Sequence, residues 1–205
     1  MAKRNKYQRL ARLYDILDLP FEYRRYHPIR RQLWSGVDGK ILDAGVGTGR
    51  NMAFYPAYSQ VTGIDFSSAM LARAERRREQ LAVDVSLVEG DITATEFPDQ
   101  SFDAIVATFL FCVLEPDQQL PALRELHRIC RPGGEIHILE YAISANPWRR
   151  LVMKLWAPWV RWVYGASFDR ETERYITDAG LDLIETRFLF SDIVKLLVLR
   201  RRVET

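Results

Sequence analysis

The sequence is poor in the residues that form cross-links and metal sites. Its 205 residues include two cysteines, Cys112 and Cys130, and three histidines. The cysteines do not form a CxxC pair, and no cluster of His, Cys and acidic residues has metal-ligand spacing. The sequence therefore predicts neither a disulfide framework nor a metal site, and it suits a reducing compartment such as the cytoplasm.

Long uninterrupted apolar runs are also missing. The first residues, MAKRNKYQRLARLYD, lack the apolar core of a secretory signal, which again favours a cytoplasmic protein. The most apolar stretch, residues 147–164, contains cations and Pro158 and is a poor transmembrane span. With 48% hydrophobic and 27% charged residues, the composition is that of an ordinary soluble globular domain.

Acidic residues are scarce in two segments, although the net charge is only +2. Residues 1–34 hold nine Lys and Arg against three acids, and residues 144–164 hold four cations and no acid. This distribution indicates a surface for an anionic partner, with two solvated helix faces as the alternative.

The second basic segment is also rich in tryptophan. An interfacial amphipathic segment would combine apolar rings with cations in this way, and could dock on an anionic membrane together with the basic N-terminus. A lid that packs its tryptophans onto a sheet is the alternative. The tryptophans concerned are Trp148, Trp156, Trp159 and Trp162.

Strand and helix patterns alternate along the rest of the chain, which predicts a parallel sheet with helices on both faces. Two adjacent late strands predict an antiparallel hairpin at the sheet edge. The first 34 residues are expected to be helical, and residues 144–164 irregular. The predicted strands are Lys40–Ala44, Gln60–Asp65, Val83–Glu89, Ser101–Thr108, Glu135–Tyr141, Leu181–Arg187 and Ile193–Arg200. The predicted helices are Thr48–Tyr55, Ser67–Gln80, Pro116–Cys130 and Asp169–Ala179.

A glycine-rich turn between the first of these strands and the next helix is the central chemical signal. In the run 43–49, DAGVGTG, glycines let a ligand approach the backbone at a helix N-terminus. Asp65 ends the second strand, where a carboxylate can bind ribose hydroxyls. The GxGxG spacing, the acid before it and the later turn 89–92, EGDI, favour a nucleotide other than a dinucleotide.

Four ordered motifs resemble those of class I S-adenosylmethionine-dependent methyltransferases. They are LDAGVGTGRN, VTGIDFSSAML, VEGDITATEFPDQSFDAIVATF and ELHRICRPGGEIHILE. The sequence is most similar to the group of bacterial phospholipid N-methyltransferases and ubiquinone/menaquinone C-methyltransferases. The resemblance implies an α/β fold: a Rossmann-like, seven-stranded, mostly parallel sheet with helices on both faces, an antiparallel strand at the edge and an N-terminal helical lid.

A single methyltransferase domain is expected over residues 1–205. Residues 1–36 would form the lid, 37–143 the cofactor-binding core, 144–168 a Trp-rich insertion, and 169–205 a C-terminal helix and hairpin.

The resemblance also implies a set of contacts to S-adenosylmethionine. Asp43, Gly45 and Gly47 would line the methionine and ribose portion, and Asp65 would hold the ribose hydroxyls. In the alternative interpretation, neither acid contacts the cofactor: Asp43 caps the glycine loop, and Asp65 caps the N-terminus of the next helix.

The remaining expected contacts surround the adenine and the sulfonium. Phe66, Asp91 and Ile92 would hold the adenine. Thr108 and Phe109 would lie under the reacting sulfonium, although Phe109 is as well suited to a wall of the core.

Candidate catalytic residues are few. Glu140 ends the fifth strand at the carboxyl edge and is the first candidate base, and His27 in the expected lid is the second. Tyr14 resembles the tyrosine that closes over the cofactor, or is a core residue of an amphipathic helix. Cys112 is better explained as a core thiol.

The acceptor is expected to be amphipathic or membrane-resident, with the amine of phosphatidylethanolamine as the leading hypothesis. A quinol C-methyltransferase and a small-thiol S-methyltransferase are alternatives, and so is a cofactor-binding module without turnover. Nucleic acid is not expected, because the fourth strand ends in Thr-Phe-Leu-Phe at 108–111 and not in an Asn/Asp-Pro-Pro-Tyr motif.

Overall fold

A computed structural model describes residues 26–202, except for the side chains of residues 162–164. The expectations for the first 25 residues, including Tyr14 and most of the lid, lie outside this range. Seven strands form one sheet: β1 Lys40–Ala44, β2 Gln60–Asp65, β3 Val85–Glu89, β4 Phe102–Thr108, β5 Cys130–Tyr141, β6 Leu181–Phe190 and β7 Val194–Arg201. Four α-helices accompany them in the described range: α1 His27–Trp34, α2 Ser68–Leu81, α3 Pro116–Ile129 and α4 Pro147–Tyr164.

The strands lie in the order β3-β2-β1-β4-β5-β7-β6. Strands β1 to β5 pair in parallel, while β7 is antiparallel to both β5 and β6. The predicted mostly parallel α/β sheet with a hairpin at one end is confirmed, and the antiparallel strand is second from the edge. The chain order reverses between β1 and β4, where open α/β sheets place their ligands.

The sheet buries apolar side chains on both faces, which explains its continuous apolar strands. On one face, Leu42 and Ile105 belong to a buried cluster with Leu126 of α3. On the other, the neighbouring residues Ile41 and Val106 belong to a cluster with Trp34 of α1. The described part of the N-terminal segment therefore packs onto the core.

Two predicted helices are short 3₁₀ turns in the structure. The expected helix 48–55 shrinks to Met52–Phe54, because Gly49 adopts a left-handed φ of +78° and Pro56 follows. The expected helix 169–179 is replaced by turns at Thr172–Tyr175 and Thr177–Ala179.

The segment 144–164, expected to be irregular, contains the 18-residue helix α4. The Asn146 side chain accepts hydrogen bonds from the N–H groups of Trp148 and Arg149, and Pro147 occupies the first turn. This N-terminal cap and proline start a helix that the internal Pro158 does not prevent.

Candidate cofactor and acceptor cleft

A cleft of about 900 Å³ opens at the carboxyl ends of the central strands. This volume lies within the roughly 300–1,000 Å³ typical of small-molecule sites. Its lining comes from the loops after β1 to β4, from Tyr141 at the end of β5, from α1 and from α4. The site therefore lies at the point where the strand order reverses.

The glycine loop lies directly against the carboxylate at the end of β2. Gly47, with a φ of +56°, donates its N–H to Asp65 Oδ2 at 3.0 Å, and Ser67 donates its N–H to Asp65 Oδ1 at 2.9 Å. A Cβ at Gly45 would lie 2.9 Å from the Leu110 side chain. Burial raises the pKa of Asp65 to about 6. The loop and Asp65 thus form one polar cradle in the cleft, with room only for glycine at position 45.

Asp43 does not line the cleft. Its side chain is fully buried and accepts hydrogen bonds from Asn51 Nδ2, at 2.9 Å to each oxygen, and from Tyr55 Oη at 2.6 Å. Burial raises its pKa to about 6. The structure therefore does not bring Asp43 into the cleft: Asp43 accepts hydrogen bonds from Asn51, which lines the cleft.

Asn51 connects this buried acid to two cleft residues, Thr108 and Arg30, of which the sequence motifs indicated only Thr108. Its Nδ2 also donates to Thr108 Oγ1 at 3.2 Å, and its Oδ1 accepts from Arg30 Nη1 at 2.6 Å. Arg30 is buried on α1 and lines the cleft. No local motif marks Arg30, because its role depends on how α1 packs.

The residues expected around the adenine line the cleft on its β2–β3 side. Ile92 is buried, whereas Phe66 keeps 39% of its surface exposed. Asp91 Oδ1 accepts from the N–H and the hydroxyl of Thr93 at 2.8 and 2.7 Å. These contacts fix the carboxylate of Asp91 beside two apolar side chains.

Thr108 and Phe109 line the cleft at the end of β4. Phe109 adopts a left-handed φ of +54°, and its N–H donates to Leu139 O at 2.7 Å. A non-glycine residue in this region stores backbone strain, which is typical of functional sites. Its ring contacts Tyr26 and Tyr141, two cleft residues that the sequence analysis did not identify.

Glu140, the first candidate base, does not line the cleft. Its side chain is completely buried, accepts a hydrogen bond from Thr172 Oγ1 at 2.8 Å and lies 3.2 Å from Lys195 Nζ. Burial outweighs these contacts and raises its pKa to about 7. The structure therefore does not bring Glu140 into the cleft, because Glu140 lies opposite Lys195 in the pairing of β5 with β7.

His27, the second candidate base, does not line the cleft either. The His27 ring packs edge-on against the Phe54 ring, with 4.6 Å between the ring centroids. Tyr14 lies outside the described residues. Cys112 does line the cleft, but its thiol donates to Phe109 O at 3.1 Å, and burial raises its pKa well above the usual thiol range.

We expect Glu140→Gln to leave the methyl-transfer rate within about threefold of wild type, since Glu140 does not reach the cleft. Its effect should appear in stability. A carboxyl whose pKa is raised in the folded state stabilises the fold at low pH, and that contribution is lost as the pH rises through about 7. Urea unfolding should therefore show that the free energy of unfolding falls less between pH 6 and pH 8 in the variant than in wild type. A hundredfold fall in transfer rate would contradict this account.

Helix α4 forms one wall of the cleft through residues such as Val152, Met153 and Trp156. None of its described side chains is buried, and Trp148, Trp156 and Trp159 are 77%, 57% and 41% exposed. Trp156 and Trp159 also line the cleft, so the interfacial segment and the lid that packs onto the sheet both remain predictions. Trp162 lies outside the described side chains.

Residues 26–202 lack two further features. No helix there is long and apolar enough to cross a bilayer. No group of three or more His, Cys, Asp or Glu in that range could hold a metal ion.

Comparisons with known proteins agree with this geometry. A family model described as a methyltransferase domain matches residues 41–134. The chain is 35% identical over 150 residues to a phosphatidylethanolamine N-methyltransferase of Cereibacter sphaeroides, covering 72% of each chain. It is 29% identical over 177 residues to a demethylmenaquinone methyltransferase of Staphylococcus epidermidis, covering 82% of this chain and 72% of the relative.

The fold is also found in solved methyltransferase structures. Geranyl diphosphate C-methyltransferase from Streptomyces coelicolor A3(2), solved with S-adenosyl-L-homocysteine, superimposes with a TM-score of 0.67 at 16% identity, covering 87% of this chain and 81% of the other. The motifs, the cleft and the curated relatives lead to one conclusion: the chain belongs to the class I S-adenosylmethionine-dependent methyltransferases.

Proposed function

We propose that this methyltransferase transfers methyl groups to the amine of phosphatidylethanolamine at a membrane surface. The observation that carries this proposal is helix α4. It forms a wall of the cleft, exposes tryptophans, and includes four cations and no acid. The similarity to a phosphatidylethanolamine N-methyltransferase supports the same acceptor.

Helix α4 has the chemistry of an interfacial helix. Exposed apolar patches of this kind are unusual on proteins that remain in water, and aromatic rings flanked by cations suit the headgroup region of an anionic bilayer. The cations are Arg149, Arg150, Lys154 and Arg161. Docking through α4 would bring the mouth of the cleft to the headgroups, so that the lipid need not leave the bilayer.

The cradle residues fit S-adenosylmethionine, which when bound supplies a methyl group carried on a sulfonium sulfur. Asp65 would accept hydrogen bonds from the ribose hydroxyls, next to the backbone of Gly45 and Gly47. Phe66 and Ile92 would pack on the adenine, with Asp91 accepting from its amino group. Thr108 and Phe109 would lie beneath the sulfonium.

Arg30 would supply the cation for the carboxylate of the cofactor's methionine portion. We expect Arg30→Met to raise the Kd of S-adenosylhomocysteine about tenfold, which corresponds to about 1.4 kcal/mol, because a charged hydrogen bond is lost. Isothermal titration calorimetry would measure the change. Arg31→Met is the matched control, because Arg31 lies on the same helix but is exposed. Equal Kd values for the two variants would contradict the assignment.

Cofactor binding should weaken in acid. Asp65 must be ionised to accept from two hydroxyls, and its pKa in the cofactor-free protein is about 6. Binding would lower that pKa, so affinity is complete above pH 7 and falls as the pH drops below 6. Titrations of S-adenosylhomocysteine between pH 5.5 and 8 would measure this. A constant Kd across the range would contradict the proposed contact.

A quinol C-methyltransferase is the second candidate. The similarity to demethylmenaquinone methyltransferases supports it, and the aromatic lining of the cleft could also contact a flat ring. Either acceptor, an ammonium headgroup or a quinol, would need a base to remove a proton, and the described lining holds no histidine and no acid other than Asp65 and Asp91. The lining therefore does not distinguish the two acceptors, and the transfer assay does.

The experiment uses purified protein, S-adenosylmethionine labelled with tritium in the methyl group, and anionic vesicles with or without phosphatidylethanolamine. Parallel samples contain a demethylated quinol in vesicles, or a simple thiol without lipid. We expect label in the lipid phase only when phosphatidylethanolamine is present. Label in the quinol or thiol sample alone would overturn the proposed acceptor, and cofactor binding without any transfer would indicate a module without turnover.

A further inference from the structure

Four aromatic side chains meet at the β4–β5 side of the cleft, and the cofactor contacts proposed above do not account for three of them. Phe109 stacks on Tyr141 at 4.6 Å between ring centroids, Tyr26 packs edge-on against Phe109 at 5.3 Å, and Phe168 packs edge-on against Tyr141 at 5.2 Å. All four are half-buried and line the cleft. We refer to Tyr26, Phe109, Tyr141 and Phe168 as the aromatic box.

The box is assembled from four separate parts of the chain. Tyr26 precedes α1, Phe109 follows β4, Tyr141 ends β5, and Phe168 follows α4. A hydrogen bond of 2.8 Å between the hydroxyls of Tyr26 and Tyr141 joins the first part to the third. These rings come from distant parts of the chain and still border a cavity. This arrangement indicates a binding surface and not packing of the hydrophobic core.

The charge around the box differs from that of the rest of the cleft. Among the described lining residues, the acids are Asp65 at the end of β2 and Asp91 after β3. Both lie on the opposite side of β1 from the box, because the strand order is β3-β2-β1-β4-β5. The box therefore presents aromatic rings and hydroxyl groups, without a carboxylate from the described lining.

Aromatic rings attract an alkylated ammonium group through their electron-rich faces, with about 0.5–2 kcal/mol gained at each favourable site. Unlike a carboxylate, which binds an ammonium best through its N–H donors, a ring needs no N–H to attract the charge. A box of rings therefore accepts nitrogen that bears hydrogens or methyl groups, while the Tyr26–Tyr141 hydroxyl pair can accept an N–H where one remains.

We infer that the aromatic box is the acceptor subsite, and that it recognises the positive charge of an alkylated ammonium head and not merely its apolar surface. This inference rests on the proposed function, because it assumes that the acceptor is an amine. It goes further by naming the residues that select the acceptor and the interaction by which they do so.

The test compares two soluble probes of nearly the same shape, choline and its uncharged analogue 3,3-dimethyl-1-butanol. Each is titrated into the full chain saturated with S-adenosylhomocysteine, in which the sulfur carries no charge. We expect the Kd of choline to be at least about tenfold lower. Equal Kd values for the two probes would overturn the inference, since an apolar pocket alone would not distinguish them.

Substitutions in the aromatic box test whether its rings cause the preference for choline over the uncharged analogue. Phe168→Leu should reduce the preference for choline to about threefold or less, whereas Phe168→Tyr, which keeps the ring, should retain it. Tyr58→Leu is the control, because Tyr58 is fully exposed and does not line the cleft. Unchanged binding of S-adenosylhomocysteine confirms that each variant is folded. A preference that survives in Phe168→Leu and in Tyr141→Leu would contradict the assignment.

The vesicle assay separates this inference from the proposed function. A preference for choline without methylation of phosphatidylethanolamine would leave the box in place and overturn the phospholipid acceptor. Methylation of phosphatidylethanolamine without any preference for choline would leave the proposed function in place and overturn the box.

Discussion

Replacing Asp65 with asparagine is expected to raise the Kd of S-adenosylhomocysteine by about 30- to 100-fold. A hydrogen bond to a charged group contributes about 1.5–3 kcal/mol, and the proposed site gives this carboxylate two ribose hydroxyls to accept. The amide that replaces it has only one accepting oxygen, and the N–H groups of Gly47 and Ser67 already compete for it. Calorimetry at pH 7.5 would measure the loss.

Stability should change much less than affinity in this variant. Burial disfavours the ionised carboxylate, so removing the charge offsets part of the loss of one backbone hydrogen bond. We expect the free energy of unfolding to stay within about 1 kcal/mol of wild type. Asp84→Asn, an exposed position before β3, is the control and should leave the Kd unchanged. A Kd within threefold of wild type for Asp65→Asn would refute the proposed ribose contact.

The second large effect concerns vesicle binding. Trp148 and Leu155 on α4 are 77% and 71% exposed and do not line the cleft, so they can be changed without altering the cavity. Insertion of two such side chains into a bilayer interface contributes about 3 kcal/mol. The double variant Trp148→Ala/Leu155→Ala should therefore partition onto anionic vesicles on the order of 100-fold more weakly than wild type.

A matched control removes apolar surface elsewhere. Ile184 and Phe188 lie on the edge strand β6 and are 52% and 50% exposed. The double variant Ile184→Ala/Phe188→Ala should bind vesicles like wild type, and both double variants should bind S-adenosylhomocysteine normally. In vesicle sedimentation, the fraction of wild-type protein bound should also fall as the salt concentration rises, because the α4 cations are exposed. Equal loss in both double variants would exclude α4 as the docking surface.

The sequence was sufficient to predict the features that depend on short stretches of chain. The glycine turn, the carboxylate that ends β2 and the buried parallel strands each follow from neighbouring residues. Their order along the chain determines the sheet edge at which they meet. This is why Gly45, Gly47 and Asp65 could be assigned to one site before their geometry was known.

Features that depend on distant contacts could not be predicted in this way. Glu140 ends β5 as expected, but only the pairing of β5 with β7 brings Lys195 beside it and turns it from the cleft. Likewise, Tyr26 and Phe168 lie more than a hundred residues apart and meet only through Phe109 and Tyr141. The sequence pattern of α4 was misleading for a different reason: Pro158 and the tryptophans obscured a helix whose start depends on one capping side chain, Asn146.

The central claim is that the enzyme methylates an amine headgroup while it is docked on a membrane. The most direct test compares initial rates of methyl transfer to phosphatidylethanolamine in anionic vesicles and to soluble glycerophosphoethanolamine, which carries the same headgroup without acyl chains. The account predicts that transfer to the vesicle lipid is at least about a hundredfold faster at equal headgroup concentration. Equal rates for the two acceptors, or no transfer to the lipid, would contradict it.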